Sequence, residues 1–191
     1  GNEDYSHLKS FCDELGVELV IEHTDISQIV FEERKEKNPC SLCAKMRRGA
    51  LNSVANRLGC NKIALGHNED DVLETFLINL SRGSGLDGLV GIPAINGNIL
   101  RVLLPFSREE IENYAQEHHI LWREDSSNSS HKYVRNQIRH QVIPVLKSIN
   151  PSLLDSFQNS LTYLKQAQSL VFDASGLVYK KVVEDQENLK K

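Results

Sequence analysis

The stretch NKIALGHNEDDVLETFLINLS, residues 61–81, reads as a strand, a turn and a helix in immediate succession. The apolar run through Leu65 ends at Gly66, and the turn that follows presents His67 and Asn68. From Asp70 to Ser81, leucine, isoleucine and phenylalanine recur at helical spacing. Asp70 and Asp71 open this helix, and Glu74 shares their face, four and three residues further on. One carboxylate in a first turn is accounted for by the helix dipole. Three crowded at a strand end repel one another unless a cation offsets them, and Mg²⁺ or a substrate ammonium would do so. Asp70, Asp71 and Glu74 are therefore the candidate catalytic residues.

Outward from this unit the pattern repeats. Tyr5 to Leu15 has helical spacing, with Gly16 placed to stop it, and VELVIEHTDI, residues 17–26, reads as a buried strand. Pro39 breaks a charged stretch, and Cys43 to Leu58 reads as a helix ending at Gly59. After the Gly-rich loop RGSGLDGLVGIP, NILRVLLPF reads as a third strand. Ser107 and Glu110 form a capping box for a helix from Arg108 to His118, whose closing His118-His119 pair suits a helix C-terminus. ILWRED reads as a fourth short strand, and the chain from Val134 onward as helical, with a break near Asn150-Pro151. Strands alternating with helices predict an α/β domain with a doubly wound, mostly parallel sheet, and ligands at the carboxyl ends of its strands. The expected organisation is a domain over residues 1–147 and a helical extension over 148–191.

Composition bounds the function classes. The 191 residues are 40% hydrophobic and 25% charged, which fits a globular protein and argues against global disorder. With a net charge of −4, any nucleic-acid contact must come from a local basic patch. Lys132, Arg135, Arg139, His140 and Lys147 form such a run, with Arg135 and Arg139 on one helix face. No apolar run approaches the roughly 20 residues of a membrane helix, and the polar, acidic first residues do not read as an export signal. A cytoplasmic protein with no membrane association is expected, its cysteines reduced or metal-bound. Cys40 and Cys43 have the spacing of a metal knuckle, but one such pair supplies only half of a structural zinc site. Free thiols and a metal centre both stay open for them, while Cys12 and Cys60 read as buried core residues.

GHNEDDVLETFL resembles the GHxxDDxxET signature of N-type ATP pyrophosphatases that modify tRNA. The resemblance implies a fold of the adenine-nucleotide alpha-hydrolase type, with Gly66, His67 and Asn68 beside nucleotide or substrate. The RGSG loop, the P-x-x-R-x-x-I helix entry and D-x-S-N…R-N-x-I-R…I-P-x-L resemble tRNA(Ile)-lysidine synthetases over about half the chain. That branch implies ATP, Mg²⁺, lysine and tRNA as cofactors and partners, with Lys132, Arg135 and Arg139 near the tRNA. Asp71 and Glu74 would then hold Mg²⁺ or the lysine ammonium, while Asp125 and Asn128 fix a loop. ERKEKNPCSLCAKMRRGAL instead resembles the tRNA 2-thiocytidine synthetase branch, where a cysteine pair helps hold an iron–sulfur cluster. No cysteine follows Cys60 to supply the third ligand that branch uses. Resemblance to both branches makes Arg47 and Arg48 candidate ligands to phosphate or adenylate, where the guanidinium fork suits the task. An S-G-G-x-D-S phosphate loop is not found, so the domain is read as incomplete at its N-terminus and the chain by itself as inactive toward ATP. Lysine ligation to a tRNA cytidine is the leading reading. Cytidine thiolation and a non-catalytic binding fragment are the alternatives, and a homodimer is left open.

Overall fold

A computed structural model describes residues 5–30, 39–122 and 134–188, apart from the side chains of residues 39–41 and 184–188. The chain divides into two compact units, Gly1–Ile63 and Ala64–Lys191.

In the first unit, α1 (Ser6–Glu14) and the short α2 (Ile26–Gln28) precede α3 (Pro39–Arg57). Gly16, at φ +66°, follows α1 where the sequence places a stop. The helix expected from Cys43 starts earlier, at Pro39, whose missing N–H and fixed φ suit a first helical position. The predicted strand over residues 17–26 is not observed: no strand is assigned over residues 17–25, and Ile26 opens α2. Val17 and Ile21 stay 52% and 42% exposed. A strand exists only through a ladder, and this apolar segment has no paired neighbour among the described residues. Glu22 instead meets Arg57 of α3, Nη2 to Oε2 at 2.7 Å, in an exposed ion pair. The buried core positions expected of two cysteines are corrected as well: Cys12 is half-buried and Cys60 exposed.

The second unit carries the core. β1 (Ile63–Ala64) leads through the turn into α4 (Glu69–Ser81), followed by α5 (Leu86–Leu89), β2 (Ile95–Asn96), β3 (Ile99–Leu100) and α6 (Arg108–Glu117). The sheet order is β1-β3-β2, and β2 pairs antiparallel with β3, Ile95 opposite Leu100 and Asn96 opposite Ile99. Gly97, at φ +60°, opens the two-residue turn between them. The long predicted strand NILRVLLPF is thus cut to Ile99–Leu100, and the Leu65 amide donates to Leu100 O at 2.8 Å. No strand is assigned over residues 120–122, the described part of ILWRED, whose remainder lies outside the described residues.

Beyond residue 133 come α7 (Val134–Gln137), a π-helical turn (Ile138–Val142), α8 (Ile143–Ile149) and the long α9 (Leu153–Asn188). Pro144 lacks the N–H that would reach four residues back, and ahead of it the helix widens so that Ile143 N–H donates to Ile138 O. Val72 and Leu73 of α4 pack with Leu104, Ile138, Ile143, Phe157 and Leu161. Each such side chain contributes about 1.5–3 kcal/mol when fully buried. Phe76 and Phe157 meet edge to face, centroids 5.2 Å apart. Gly91, at φ +81°, sits where an added Cβ would lie 2.8 Å from Val72 Cγ1, so this loop closes on the core only with glycine. The helices from residue 134 onward are thereby clamped across the face of α4. No helix among the described residues is long and apolar enough to cross a membrane.

Candidate functional site

The site is built on the first two turns of α4. Asn68 caps the helix: its side chain accepts from the Asp71 amide at 3.1 Å, and Asp71 Oδ2 accepts from the Asn68 amide at 3.1 Å. Glu69 N–H donates to Phe106 O at 2.9 Å, which ties the helix start to the end of the β3 segment. Asp70 faces away from the cap. Its Oδ2 accepts the Arg108 amide at 2.7 Å, at the start of α6, and its Oδ1 lies 3.6 Å from Lys147 Nζ of α8.

Glu74 is 1% exposed and meets Arg139 in a two-pronged contact, Nε to Oε1 at 2.6 Å and Nη2 to Oε2 at 3.0 Å. Both oxygens accept, which is the geometry of a carboxylate with a guanidinium fork. Burial pushes the Glu74 carboxyl above its ordinary range, against the Arg139 hydrogen bonds that pull it down. The same hydrogen bonds raise Arg139 further, so the arginine stays charged. Arg135 reaches the same cluster from one turn earlier. Its Nη2 donates to Thr75 Oγ1 at 2.9 Å, Nη1 lies 3.5 Å from Asp71 Oδ1, and Nε lies 3.7 Å from Glu74 Oε2. Asp71 Oδ1 also stands 3.6 Å from Arg139 Nη2. At these lengths the two guanidiniums neutralise Asp71 without saturating that oxygen, which keeps lone-pair capacity for a further donor.

His67 precedes the cap and is half-buried, with its Nδ1 lacking a hydrogen-bond partner among the described residues. Burial lowers its pKa, Asp71 opposes that, and Arg101 and Arg135 add to it, so the ring is neutral at neutral pH. Gly66 is exposed beside it. A cleft of about 390 Å³ opens along this face of α4, lined by Asp70, Glu74, Arg139, Ile143, Pro144 and Lys147 among others. That volume falls within the roughly 300–1,000 Å³ of small-molecule sites.

The fold thus brings Asp70, Asp71, Glu74, Asn68 and His67 together with Arg135 and Arg139. Each of the three carboxylates faces a guanidinium or ammonium of the chain. Among the described residues no cluster of histidines, cysteines and acids is arranged to hold a metal ion. Arg139, expected at a tRNA surface, is turned onto Glu74, while Arg135 remains 40% exposed at its side chain. Lys132, Asp125 and Asn128 lie outside the described residues. In the first unit, Arg47 and Arg48 are exposed on α3 and Cys43 is half-buried, while the Cys40 side chain lies outside the described residues. Sequence reading missed the role of Thr75 as acceptor for Arg135 and that of the Arg108 amide as donor to Asp70. No residue-type signal marks a backbone amide, whereas Thr75 sits inside the GHxxDDxxET signature.

The chain is similar to several known proteins. A family model described as the PP-loop domain matches residues 1–146. The tRNA(Ile)-lysidine synthase of Borreliella burgdorferi (strain ATCC 35210 / DSM 4680 / CIP 102532 / B31) is 39% identical over 148 residues, 78% of this chain and 34% of that protein. The tRNA(Ile)-lysidine synthase of Thermosipho africanus (strain TCF52B) is 33% identical over 192 aligned positions, 96% of this chain and 44% of that protein. The chain thus spans less than half the length of these curated relatives. Among solved structures, the U34-tRNA thiolase NcsA from Methanococcus maripaludis, with its [4Fe-4S] cluster, superposes with a TM-score of 0.63 at 24% identity, covering 83% of this chain and 55% of that one. That likeness concerns the fold alone. With 146 consecutive residues matched, this chain belongs to the PP-loop domain family.

Proposed function

We propose that this chain carries the nucleophile-binding part of an ATP-dependent tRNA(Ile)-lysidine synthase. The observation that carries the reading is the Asp71–Glu74–Arg135–Arg139 constellation at the end of β1, beside a cleft of small-molecule size. The names of the relatives support the choice of lysine and tRNA(Ile). In the reaction, ATP adenylates the oxygen on C2 of a tRNA cytidine and pyrophosphate leaves. The lysine amine then attacks C2, loses a proton, and AMP departs with the oxygen. Here Asp71 Oδ1 and Glu74 orient the amine, and Arg139 holds Glu74 in its carboxylate form. Preorganised charges of this kind act strongly because they need not rearrange as the reaction proceeds.

His67 and Asn68 would border the nucleotide, and Gly66 would let it approach the backbone. Arg47 and Arg48 are proposed phosphate ligands, and Arg135, with Lys132, a contact to tRNA. Mg²⁺ would accompany ATP. The short sheet is read as part of a doubly wound, mostly parallel sheet, with residues 1–147 in the catalytic domain and 148–191 as its helical extension. A tRNA substrate implies a cytoplasmic setting.

The test uses the complete protein that contains this chain, with ATP, labelled lysine and a tRNA(Ile) transcript. ATP-dependent lysine incorporation at a cytidine is expected. Sulfur incorporation at that base, with none of lysine, would overturn the reading in favour of thiolation.

A further inference from the structure

We infer that Pro144 is a positioning residue: by holding open the π-helical turn of residues 138–142, it lines up Arg135, Arg139 and Lys147 on one helix face against Asp71, Glu74 and Asp70. As a role in the reaction this rests on the lysine-ligation reading proposed above, whereas the helix register is a property of the fold itself.

Burial fixes that register. Ile138 and Ile143 belong to the core, at 8% and 5% exposed, while Val142 between them is 41% exposed. An unbroken α-helix advances about 100° per residue, so Val142 would stand about 40° from Ile138, and Ile143 about 140° away. The observed burial is the reverse. The π turn accounts for it: Ile143 N–H donates to Ile138 O, five residues back, and the turn takes up one extra residue. Val142 and Ile143 are both apolar and β-branched, so residue type suits either of them to the core position. Pro144 decides between them. It has no N–H to offer His140 O, and in a tight helix its ring would clash with that carbonyl.

The same extra residue aligns the cations. Arg135 stands about 40° from Arg139 around the helix axis. In an unbroken helix Lys147 would lie about 80° to the other side, and the three would spread over about 120°. With one residue taken up by the wide turn, Lys147 falls about 20° from Arg139, on the Arg135 side. The contacts follow this alignment. Arg139 Nε donates to Glu74 Oε1 at 2.6 Å, Arg135 Nη1 lies 3.5 Å from Asp71 Oδ1, and Lys147 Nζ lies 3.6 Å from Asp70 Oδ1. Closing the turn would rotate α8 by about 100° against α7. Either Lys147 then leaves Asp70, or the two arginines leave Asp71 and Glu74.

The experiment uses the complete protein that contains this chain, with Val142→Cys as a reporter. Alkylation of that thiol is read by mass spectrometry on its own peptide, apart from the natural cysteines. Pro144→Ala in this parent restores an amide, and alkylation should slow at least about tenfold as residue 142 turns to the core. Lysine incorporation with ATP and tRNA(Ile) should lose at least about tenfold in kcat/KM, the scale of a small misplacement at a site. Deleting the exposed Gln141 from Pro144→Ala removes the extra residue, so an unbroken helix again buries Ile143 and aligns Lys147. Alkylation and incorporation should then return to within about threefold of the parent. Shortening a helix would not repair a loss of stability alone. If Pro144→Ala melts early, Pro144→Leu, which also restores the amide, takes its place. Unchanged alkylation or unchanged incorporation in the proline variant would overturn the inference. So would a deletion variant that melts like the parent and recovers neither. Should the parent incorporate no lysine, the lysine reading fails, and the alkylation rates still decide whether Pro144 sets the register.

Discussion

Glu69 and Glu74 sit five residues apart on the same helix, both buried, and they keep opposite company. Glu74 is gripped by the Arg139 fork, with Arg135 close by. Glu69, 8% exposed, has the Gln158 side chain of α9 as its hydrogen-bonding partner, and Asp70, Glu110 and Asp155 surround it with like charge. For Glu69, burial is the largest influence and drives the carboxyl above the usual range, opposed by the Gln158 hydrogen bond. For Glu74 burial pushes the same way, but two-pronged hydrogen bonding restrains it. The difference teaches where charge is held deliberately. A buried carboxylate that keeps an arginine is poised to bind or orient a charged ligand, whereas one that keeps an amide is suited to the neutral acid and to packing.

The largest effect expected from this contrast is on stability. Glu74→Ala leaves the Arg139 guanidinium in a partly buried position without its partner, and should cost about 3–5 kcal/mol. Urea unfolding of the single and double Glu74→Ala and Arg139→Ala variants measures it. A coupling energy below about 0.5 kcal/mol would break the comparison, since residues in one ion-pair network are expected to be non-additive.

A smaller change in free energy, with a larger consequence for function, is expected one turn earlier. Asp71→Asn preserves the capping geometry with Asn68, because asparagine also caps, so its stability cost should stay within about 1 kcal/mol. Loss of the charge should reduce lysine incorporation by at least about a hundredfold. Thermal midpoint and lysine incorporation into tRNA are read on the same preparation of the complete protein. A sharp fall in midpoint with activity per folded molecule near wild type would reduce Asp71 to a cap and undo its distinction from Glu69.

The smallest effect concerns Glu69 and carries a sign. Its native pKa is raised, so its contribution to stability is full below the ordinary glutamate value and is lost as pH rises through the raised value. Glu69→Gln cannot ionise, and it keeps a group able to bond Gln158. At neutral pH the variant should be as stable as wild type or more so, by on the order of 1 kcal/mol, with the gap closing on acidification toward about pH 4. Melting curves across that range decide it. A destabilised variant at pH 7 would mean that Glu69, like Glu74, holds a needed charge.

Much of this was legible beforehand, and the reason differs by element. The caps of α4 and α6 are local: Asn68 with Asp71 and Ser107 with Glu110 lie three residues apart, so their geometry follows from the helix itself. The GHxxDDxxET run likewise packs its chemistry into one turn and the next. Ladders are not local. Residues 17–25 have strand composition without an assigned strand, and NILRVLLPF yields two ladder residues, because pairing depends on a neighbour that composition does not supply.

By itself, then, the sequence determined the starts of α4 and α6, the acidic first turn of α4 and its capping, since these rest on contacts within a few residues. What neutralises that acidic turn was decided by tertiary structure. Arg135 and Arg139 lie 60 or more positions away along the chain from Asp71, Thr75 and Glu74. Packing of Ile138, Ile143 and Phe157 against Val72 and Leu73 brings them across, and the wide turn ahead of Pro144 carries Arg139. Charge state is equally a product of that packing. Glu69 and Glu74 are the same residue type on the same helix, and burial together with the neighbour each receives separates them.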